Sequence, residues 1–191
     1  MTEPELVKQV LNGNEVACRF LVANYQRLVF HIVRRILNQN EDLEDVCQEV
    51  FMKVFSQLKH FRGASKLSTW IASVAYNTSL THYERQKRRS NSVINYEFVP
   101  DMHHAPGVGE KGFEAEEMKR HLKRLIETLP VHYRTVLTLF YLEEFSYREI
   151  EDITGMPEGT IKSYLSRARM LLKCKLEKMQ KNEKSAIFEQ H

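Results

Sequence analysis

The chain has 191 residues and a net charge of +3, with 42% hydrophobic and 28% charged residues. This length fits one ordinary domain or two small ones, and the composition excludes an intrinsically disordered chain. There is no apolar stretch of the ~20 residues that span a bilayer and no apolar core of a secretory signal. Three widely spaced cysteines favour a reducing compartment, so we expect a cytoplasmic protein.

Glycine and proline are scarce, and apolar residues recur with the period of a helix. Helices are predicted over 3–38, interrupted at Asn12-Gly13-Asn14, and then over about 41–59 and 68–89, with a break at 61–65. The fold class predicted for residues 1–89 is therefore an all-α bundle of three or four helices.

The hydrophobic residues within 90–113 show no helical or strand periodicity, and the segment contains two prolines and three glycines. This composition predicts a flexible linker. Fully extended, it reaches roughly 80 Å at ~3.3 Å per residue. A second all-α domain is predicted over 114–181, followed by a tail at 182–191. Its four predicted helices cover 114–128, 131–143, 146–154 and 157–179.

A helix-turn-helix is the most specific local signal. Ser146 and Glu149 form a capping box, Gly155 suits the left-handed end of that helix, and Pro157 suits the start of the next. The exposed face of the second helix suits a DNA major groove. That face carries Glu158, Thr160, Lys162, Ser163, Ser166, Arg167 and Arg169. The alternative is an ordinary helical hairpin with a basic surface.

The helix at 41–59 is predicted to bury one face, with Val46 and Val50 at its centre, and to expose an acidic one. The acidic face, called here the acidic stripe, carries Asp42, Asp45, Gln48, Glu49 and Met52. A methionine inside an acidic stripe suits contact with a basic partner. A solvated helix face with no partner is the plain alternative.

Residues 61–89 interleave aromatic and basic side chains, a pattern suited to unpaired bases and their phosphates. For Trp70, Ile71 and Val74, burial in the core is the simpler reading. The pattern comprises Phe61, Arg62, Lys66, Trp70, Tyr76, His82, Tyr83, Arg85, Lys87, Arg88 and Arg89.

Two ordered blocks of sequence resemble a known family. Asp42 to Phe55, with Phe61-Arg-Gly-Ala-Ser, Thr69-Trp-Ile and Ala75-Tyr-Asn77, resembles the second conserved region of bacterial sigma factors. Glu143 to Arg169 resembles their fourth region. With only these regions and a linker, the chain resembles the extracytoplasmic-function (ECF) group of the sigma-70 family.

The resemblance implies a non-enzymatic protein, without a cofactor or metal, that directs core RNA polymerase to promoters. It implies that the acidic stripe docks on the β′ clamp helices, that the helix-turn-helix reads the minus-thirty-five element, and that its domain also touches the β-flap. An anti-sigma factor is a further implied partner. The implied minus-ten contacts are Phe61, Arg62, Gly63, Ala64, Ser65, Lys66, Asn77, Arg85, Lys87, Arg88 and Arg89.

Three residues depart from the family pattern: Thr81, where an acidic residue is frequent, Glu151, where alanine is usual, and Tyr164, which replaces a frequent arginine. Two other functions remain open at this point. One is a stand-alone helix-turn-helix regulator. The other is a metalloenzyme, whose only support is His103, His104 and His121 with nearby carboxylates; ligand spacing on a helix is lacking.

Overall fold

The computed structural model describes residues 2–38, 42–91 and 122–188, with side chains up to residues 89 and 177 in the last two ranges. All regular structure in these ranges is helical. The predicted linker from residue 92 onward, the first part of the helix predicted at 114–128 and the three histidines above lie outside the described residues. Within the described ranges, no helix is long and apolar enough to cross a membrane.

The first predicted helical stretch is two helices, α1 (Glu3–Leu11) and α2 (Glu15–Leu37), as expected from the break between them. Gly13 makes the turn with φ +77°. Asn14 then caps α2, because its side-chain oxygen accepts hydrogen bonds from the backbone of Val16 (2.9 Å) and Ala17 (3.1 Å).

Helices α3 (Leu43–Gln57) and α4 (Leu67–Asn91) complete the N-terminal bundle, with a 3₁₀ turn at Leu58–His60 between them. α2 packs against both, and α3 packs against α4. The core includes Val46, Val50 and Val54, as the periodicity predicts. Of the residues expected in the core, Ile71 is fully buried, whereas Trp70 and Val74 are half-buried.

The C-terminal unit begins with helical residues 122–127, followed by α5 (Val131–Leu137), α6 (Tyr147–Thr154) and α7 (Glu158–Phe188). Two details differ from the prediction. The helix predicted at 131–143 becomes a π-helical turn at Thr138–Leu142. The last helix runs beyond its predicted end at residue 179, into the segment predicted as a tail.

The N-terminal bundle and the C-terminal unit are packed against each other. α6 lies against α4, and α5 lies against α2. The sequence pattern did not predict this contact, because the apolar face of each helix could be buried within its own unit.

The turn of the helix-turn-helix depends on one glycine, which gives a direct test of the fold. Gly155 has φ +70°, and a Cβ there would meet no atom within 4 Å. Gly155→Ala should therefore destabilise the protein by about 1 kcal/mol, through backbone strain alone. Gly159→Ala is the matched control, because Gly159 is the second residue of α7, does not have a positive φ and has equally open space around it. It should stabilise by ~0.5–1 kcal/mol. Urea unfolding measures both; equal effects would contradict the turn geometry.

The cysteines differ in environment, which predicts different reactivity. All three are free thiols, and Cys174 is exposed. Burial, with a smaller contribution from Glu44, raises the pKa of the Cys47 thiol to about 11. At pH 8 only roughly 0.1% of Cys47 is thiolate, so Cys174 should react with a thiol reagent at least ~10-fold faster. The Cys47 rate should rise with pH toward 11 in the folded protein and become ordinary in urea. Mass spectrometry of labelled peptides measures this.

Candidate nucleic-acid and protein interfaces

The acidic stripe of α3 is largely on the surface. Asp42, Asp45, Gln48 and Met52 are all exposed, and Met52 is 71% exposed. A methionine this exposed buries little against its own chain, so it is available to a partner. The opposite face of α3 is in the core.

Glu49 differs from the rest of the acidic stripe, because its carboxylate already has partners inside the protein. Lys53 lies 2.7 Å from one oxygen, and His82 of α4 lies 2.7 Å from the other. Lys53 and, next, His82 hold the pKa of the Glu49 carboxyl below its ordinary value. Glu49 therefore fixes α3 against α4 as well as facing the stripe.

A groove between α3 and α4 brings the two kinds of charge side by side. It is lined by Asp42, Asp45 and Glu49 on one side and by His82, Arg85 and Arg89 on the other. The acidic stripe and the basic end of α4 are thus neighbours in space. A protein partner on the first and a polyanion on the second would meet along this groove.

The loop at 61–66 is open at its tip and anchored at its ends. Phe61 packs on Trp70, with ring centroids 5.5 Å apart, and Gly63 takes φ +70°. Arg62, Gly63 and Ala64 are exposed, and Ser65 is half-buried. The ammonium of Lys66 lies 2.9 Å from the carboxylate of Glu149 on α6.

The outer face of α4 is polar and exposed from its middle to its end. The side-chain amide of Asn77 is exposed and donates to the backbone oxygen of Ser73 (2.9 Å). The hydroxyl of Thr81, one of the residues that depart from the family pattern, donates to the backbone oxygen of Asn77 (2.9 Å). Its hydrogen bond is therefore made within the helix. The predicted basic cluster, Arg85, Lys87, Arg88 and Arg89, is exposed at the end of the helix.

The helix-turn-helix forms as the sequence predicts. The backbone N–H of Ser146 donates to Glu149 (2.9 Å), and the backbone N–H of Glu149 donates to the Ser146 hydroxyl (3.3 Å). Ile150 and Ile153 of α6 are buried, as are the predicted inward residues of α7 up to Ala168. Leu172, the last of that predicted stripe, is half-buried.

The outer face of α7 presents the predicted DNA-reading residues to solvent. Glu158, Lys162, Ser163, Ser166, Arg167 and Arg169 are exposed, and Thr160 is half-buried. Four of them already make contacts within the helix; one is Ser163, whose hydroxyl donates to the backbone oxygen of Gly159 (2.9 Å). Lys162 lies 2.6 Å from Glu158, and the Nε of Arg169 donates to the backbone oxygen of Leu165 (3.2 Å).

An aromatic residue that the sequence analysis did not single out supports this face. The ammonium of Lys162 lies over the ring of Tyr147, 5.2 Å from its centroid. Tyr147 in turn stacks on Phe140, with centroids 5.0 Å apart and planes 12° apart. Glu158, and more weakly Tyr147, raise the pKa of Lys162. In the sequence, the only sign of this role for Tyr147 was that it directly follows the capping residue Ser146, as the first residue of α6.

Tyr164, which stands where the family often has arginine, is half-buried rather than a surface contact. Its ring meets the ring of Tyr133 edge-on, with centroids 5.1 Å apart. It therefore helps hold α7 against α5.

Comparisons with known proteins bear on both units. Residues 21–89 match Sigma-70 region 2, and residues 119–172 match Sigma-70, region 4. The ECF RNA polymerase sigma-E factor of Escherichia coli (strain K12) is 33% identical over 183 residues, 93% of this chain and 95% of that protein. That of Haemophilus influenzae is 31% identical over 184 residues, 93% of this chain and 96% of that protein.

Solved structures show the same fold at lower identity. CnrH, in complex with the cytosolic domain of CnrY, has a TM-score of 0.64 and 19% identity, over 90% of this chain and 95% of that one. The Bartonella quintana sigma factor RpoE, in complex with the anti-sigma factor NepR, has a TM-score of 0.65 and 21% identity, over 83% and 96%. The similarity therefore covers both helical units.

The chain belongs to the ECF group of the sigma-70 family. It is an RNA polymerase sigma factor, which directs the polymerase to promoter DNA for the initiation of transcription. Membership in this family favours that function over a stand-alone helix-turn-helix regulator. Sigma factors are generally initiation factors that bind DNA, not enzymes. Among the described residues, no cluster of His, Cys, Asp or Glu could hold a metal ion.

Proposed function

We propose that the protein uses three separate surfaces for this function. The acidic stripe of α3 binds a basic surface of core polymerase, the β′ clamp helices. The loop at 61–66, with Asn77 and the basic end of α4, binds the minus-ten element. The outer face of α7 reads the minus-thirty-five element. Residues 1–89 and 114–181 are the two working domains, and residues 90–113 link them.

The exposure and charge of these surfaces carry the proposal. The acidic stripe is exposed except for Glu49, and a methionine lies at its centre. The basic end of α4 and the outer face of α7 are exposed as well. Lys and Arg on these faces suit phosphate, and polar residues near the start of α7 suit base edges.

The loop at 61–66, called here the minus-ten loop, combines a glycine turn with an adjacent aromatic pair. Gly63 gives the tip a turn that other residues rarely adopt. Phe61, at the start of the loop, packs on Trp70, and an aromatic pair of this kind suits stacking with an unpaired base. This is the chemistry expected of a loop that captures a flipped promoter base.

Further parts of the proposal concern partners and setting. The protein acts in the cytoplasm, where core polymerase works, and has no enzymatic activity or cofactor of its own. The C-terminal unit also touches the β-flap. An anti-sigma factor binds it, as anti-sigma factor NepR binds the B. quintana relative of the same fold. The acidic stripe and the basic end of α4 are both exposed, so an anti-sigma factor could bind either surface through complementary charge.

Photocrosslinking tests the three surfaces separately. A photoreactive amino acid replaces Met52, Ala64 or Ser163, all of which are exposed. In the complex with core polymerase and a promoter, position 52 should link to polymerase, position 64 to the minus-ten strand and position 163 to duplex near minus thirty-five. Lys59, exposed in the 3₁₀ turn that follows α3, is the control position. Crosslinks from position 52 to DNA, or from 163 to polymerase only, would overturn the assignment.

A further inference from the structure

The first helix lies against both ends of the minus-ten loop. α1 packs on the 3₁₀ turn at Leu58–His60, which comes directly before the loop. At the other end, the carboxylate of Glu3 accepts a hydrogen bond from the backbone N–H of Leu67 (3.2 Å), the residue that directly follows the loop. Glu3 and Leu67 are 64 residues apart in sequence. α1 therefore joins the two ends of a loop that is distant from it along the chain.

Glu3 takes the place of a capping residue for α4. Leu67 is the first residue of α4, so its N–H has no partner within the helix. The capping position falls on Lys66, whose side chain has only donors. The hydroxyl of Thr69, in the same first turn, is buried and has no hydrogen-bond partner among the described residues. The start of α4 is thus capped from another helix.

A carboxylate is well suited to this position. The positive end of a helix dipole favours a negative charge, and a hydrogen bond to a charged acceptor is stronger than one to a neutral acceptor. Leu67 is fully buried, so without Glu3 its N–H would be a buried donor with no partner. The charge of Glu3 also reaches the loop, because Glu149 and, more weakly, Glu3 raise the pKa of Lys66.

Glu3 is itself held in place by α1. It is the first residue of that helix, and Leu6 and Val10 bury the inner face of α1 in the bundle. The backbone N–H of Thr2 donates to the carboxylate of Glu5 (2.9 Å), which fixes the turn on both sides of Glu3. The carboxylate of Glu3 is therefore presented to α4 from a fixed support.

The beginning of the loop is anchored as well. The backbone N–H of Phe61 donates to the oxygen of Leu58 (3.0 Å), and Leu58 is fully buried. The ring of Phe61 packs on Trp70 of α4. Between these anchors, Arg62, Gly63 and Ala64 are exposed. A loop fixed at both ends loses less conformational freedom when it binds a ligand at its tip.

We propose that Glu3 is a positioning residue for the minus-ten loop: by capping α4 from α1, it holds the loop in the shape that receives an unpaired promoter base. The proposal rests on the proposed function, which assigns base capture to this loop, and it adds a role for α1. Without the carboxylate, the end of the loop is free, and binding of a base must also order the loop. Binding of core polymerase uses the acidic stripe and should not change.

Two variants and a matched control test this role. Glu3→Ala removes the cap, whereas Glu3→Gln keeps an oxygen acceptor but removes the charge, so its effects should be smaller. Glu15→Ala is the control, because Glu15 is the first residue of α2 as Glu3 is of α1. Both changes remove one carboxylate from a helix start. Glu15, however, pairs with Arg19 on the open surface of α2 (3.7 Å).

Hydrogen exchange of the free, full-length protein measures how firmly the loop is held. In Glu3→Ala, exchange of residues 61–70 should be about fivefold faster, the size expected for loss of a charge at a helix N-terminus. Glu15→Ala should leave this segment unchanged. Far-UV circular dichroism confirms that each variant is folded, and Glu3→Gln carries the test if Glu3→Ala is not.

Promoter opening measures base capture. The probe is a promoter fragment that gives a run-off transcript with core polymerase and the unchanged protein. Reactivity of its unpaired thymines with permanganate reports opening. Opening should be about fivefold slower with Glu3→Ala than with Glu15→Ala, in proportion to the loosened loop. Affinity for core polymerase should be the same for both, a split that a general loss of stability would not produce.

The outcomes separate this proposal from the proposed function. Unchanged exchange of the loop, or equal rates of opening with Glu3→Ala and Glu15→Ala, overturns the role of Glu3 and leaves the function standing. Loss of affinity for core polymerase together with opening also overturns it, because general destabilisation then explains both. An unchanged protein that opens no promoter with core polymerase would overturn the proposed function, and the role of Glu3 with it.

Discussion

Asp45→Arg combined with Met52→Lys is expected to reduce the affinity for core polymerase by about 100-fold, because it places like charges against a basic partner. Both side chains are exposed on α3. The fold should therefore survive, with circular dichroism and urea unfolding close to those of the unchanged protein. Co-purification of core polymerase with a tagged sigma factor measures the loss, and titration by fluorescence anisotropy gives its size.

The structure decides which residues to change in this experiment. Glu49 belongs to the same stripe, but replacing it breaks its pairs with Lys53 and His82 and would confuse binding with stability. Gln57→Arg is the matched control, since Gln57 is exposed at the end of the same helix and lies about 140° around it from Met52. If the double variant binds core polymerase as well as the control does, the acidic stripe is not the docking surface.

Lys162→Ala and Arg167→Ala are expected to weaken promoter binding in two different ways. Lys162, near the start of α7, suits a base edge, so its loss should cost ~1–3 kcal/mol of discrimination at one base pair. Arg167 is exposed five residues, or about 1.4 turns, further along α7, and it suits a phosphate. Its loss should weaken all sequences alike and lower the salt slope of binding by ~0.9.

Holoenzyme binding to a set of minus-thirty-five variants, at several salt concentrations, measures both effects. Glu158→Gln is an informative companion, because it frees Lys162 from its 2.6 Å ion pair without removing the lysine. It should tighten binding or alter base preference rather than abolish it. Equal and uniform losses for Lys162→Ala and Arg167→Ala would mean that α7 does not read sequence through Lys162.

Local sequence determined much of the fold in advance. Asn14 and Ser146 are capping residues, and Gly155 allows a left-handed turn, so each marks a helix boundary whatever the tertiary structure. The apolar spacing of α3 and α7 predicts which faces are buried. The same spacing predicts the exposed surfaces of the candidate site, because these are the polar faces opposite the buried faces of α3 and α7.

Contacts between distant residues were beyond such reasoning. Arg134 reads as an ordinary surface arginine in sequence, and only the docking of α5 on α2 buries it. Glu49 reads as one more acid of the stripe, but His82, 33 residues later, engages it. The π-helical turn at Thr138–Leu142 arises at the junction with α6, where local propensity gives no cue.

Run-off transcription tests the central claim, that this chain lets core polymerase select promoters through two linked units. Core enzyme is mixed with the protein and a library of genomic fragments, alongside the Asp45→Arg/Met52→Lys and Lys162→Ala variants. We predict discrete transcripts that require the unchanged protein, disappear with the double variant and change in pattern with Lys162→Ala. Transcripts that are the same with core enzyme alone, or absent although the protein binds core enzyme and DNA, would contradict it.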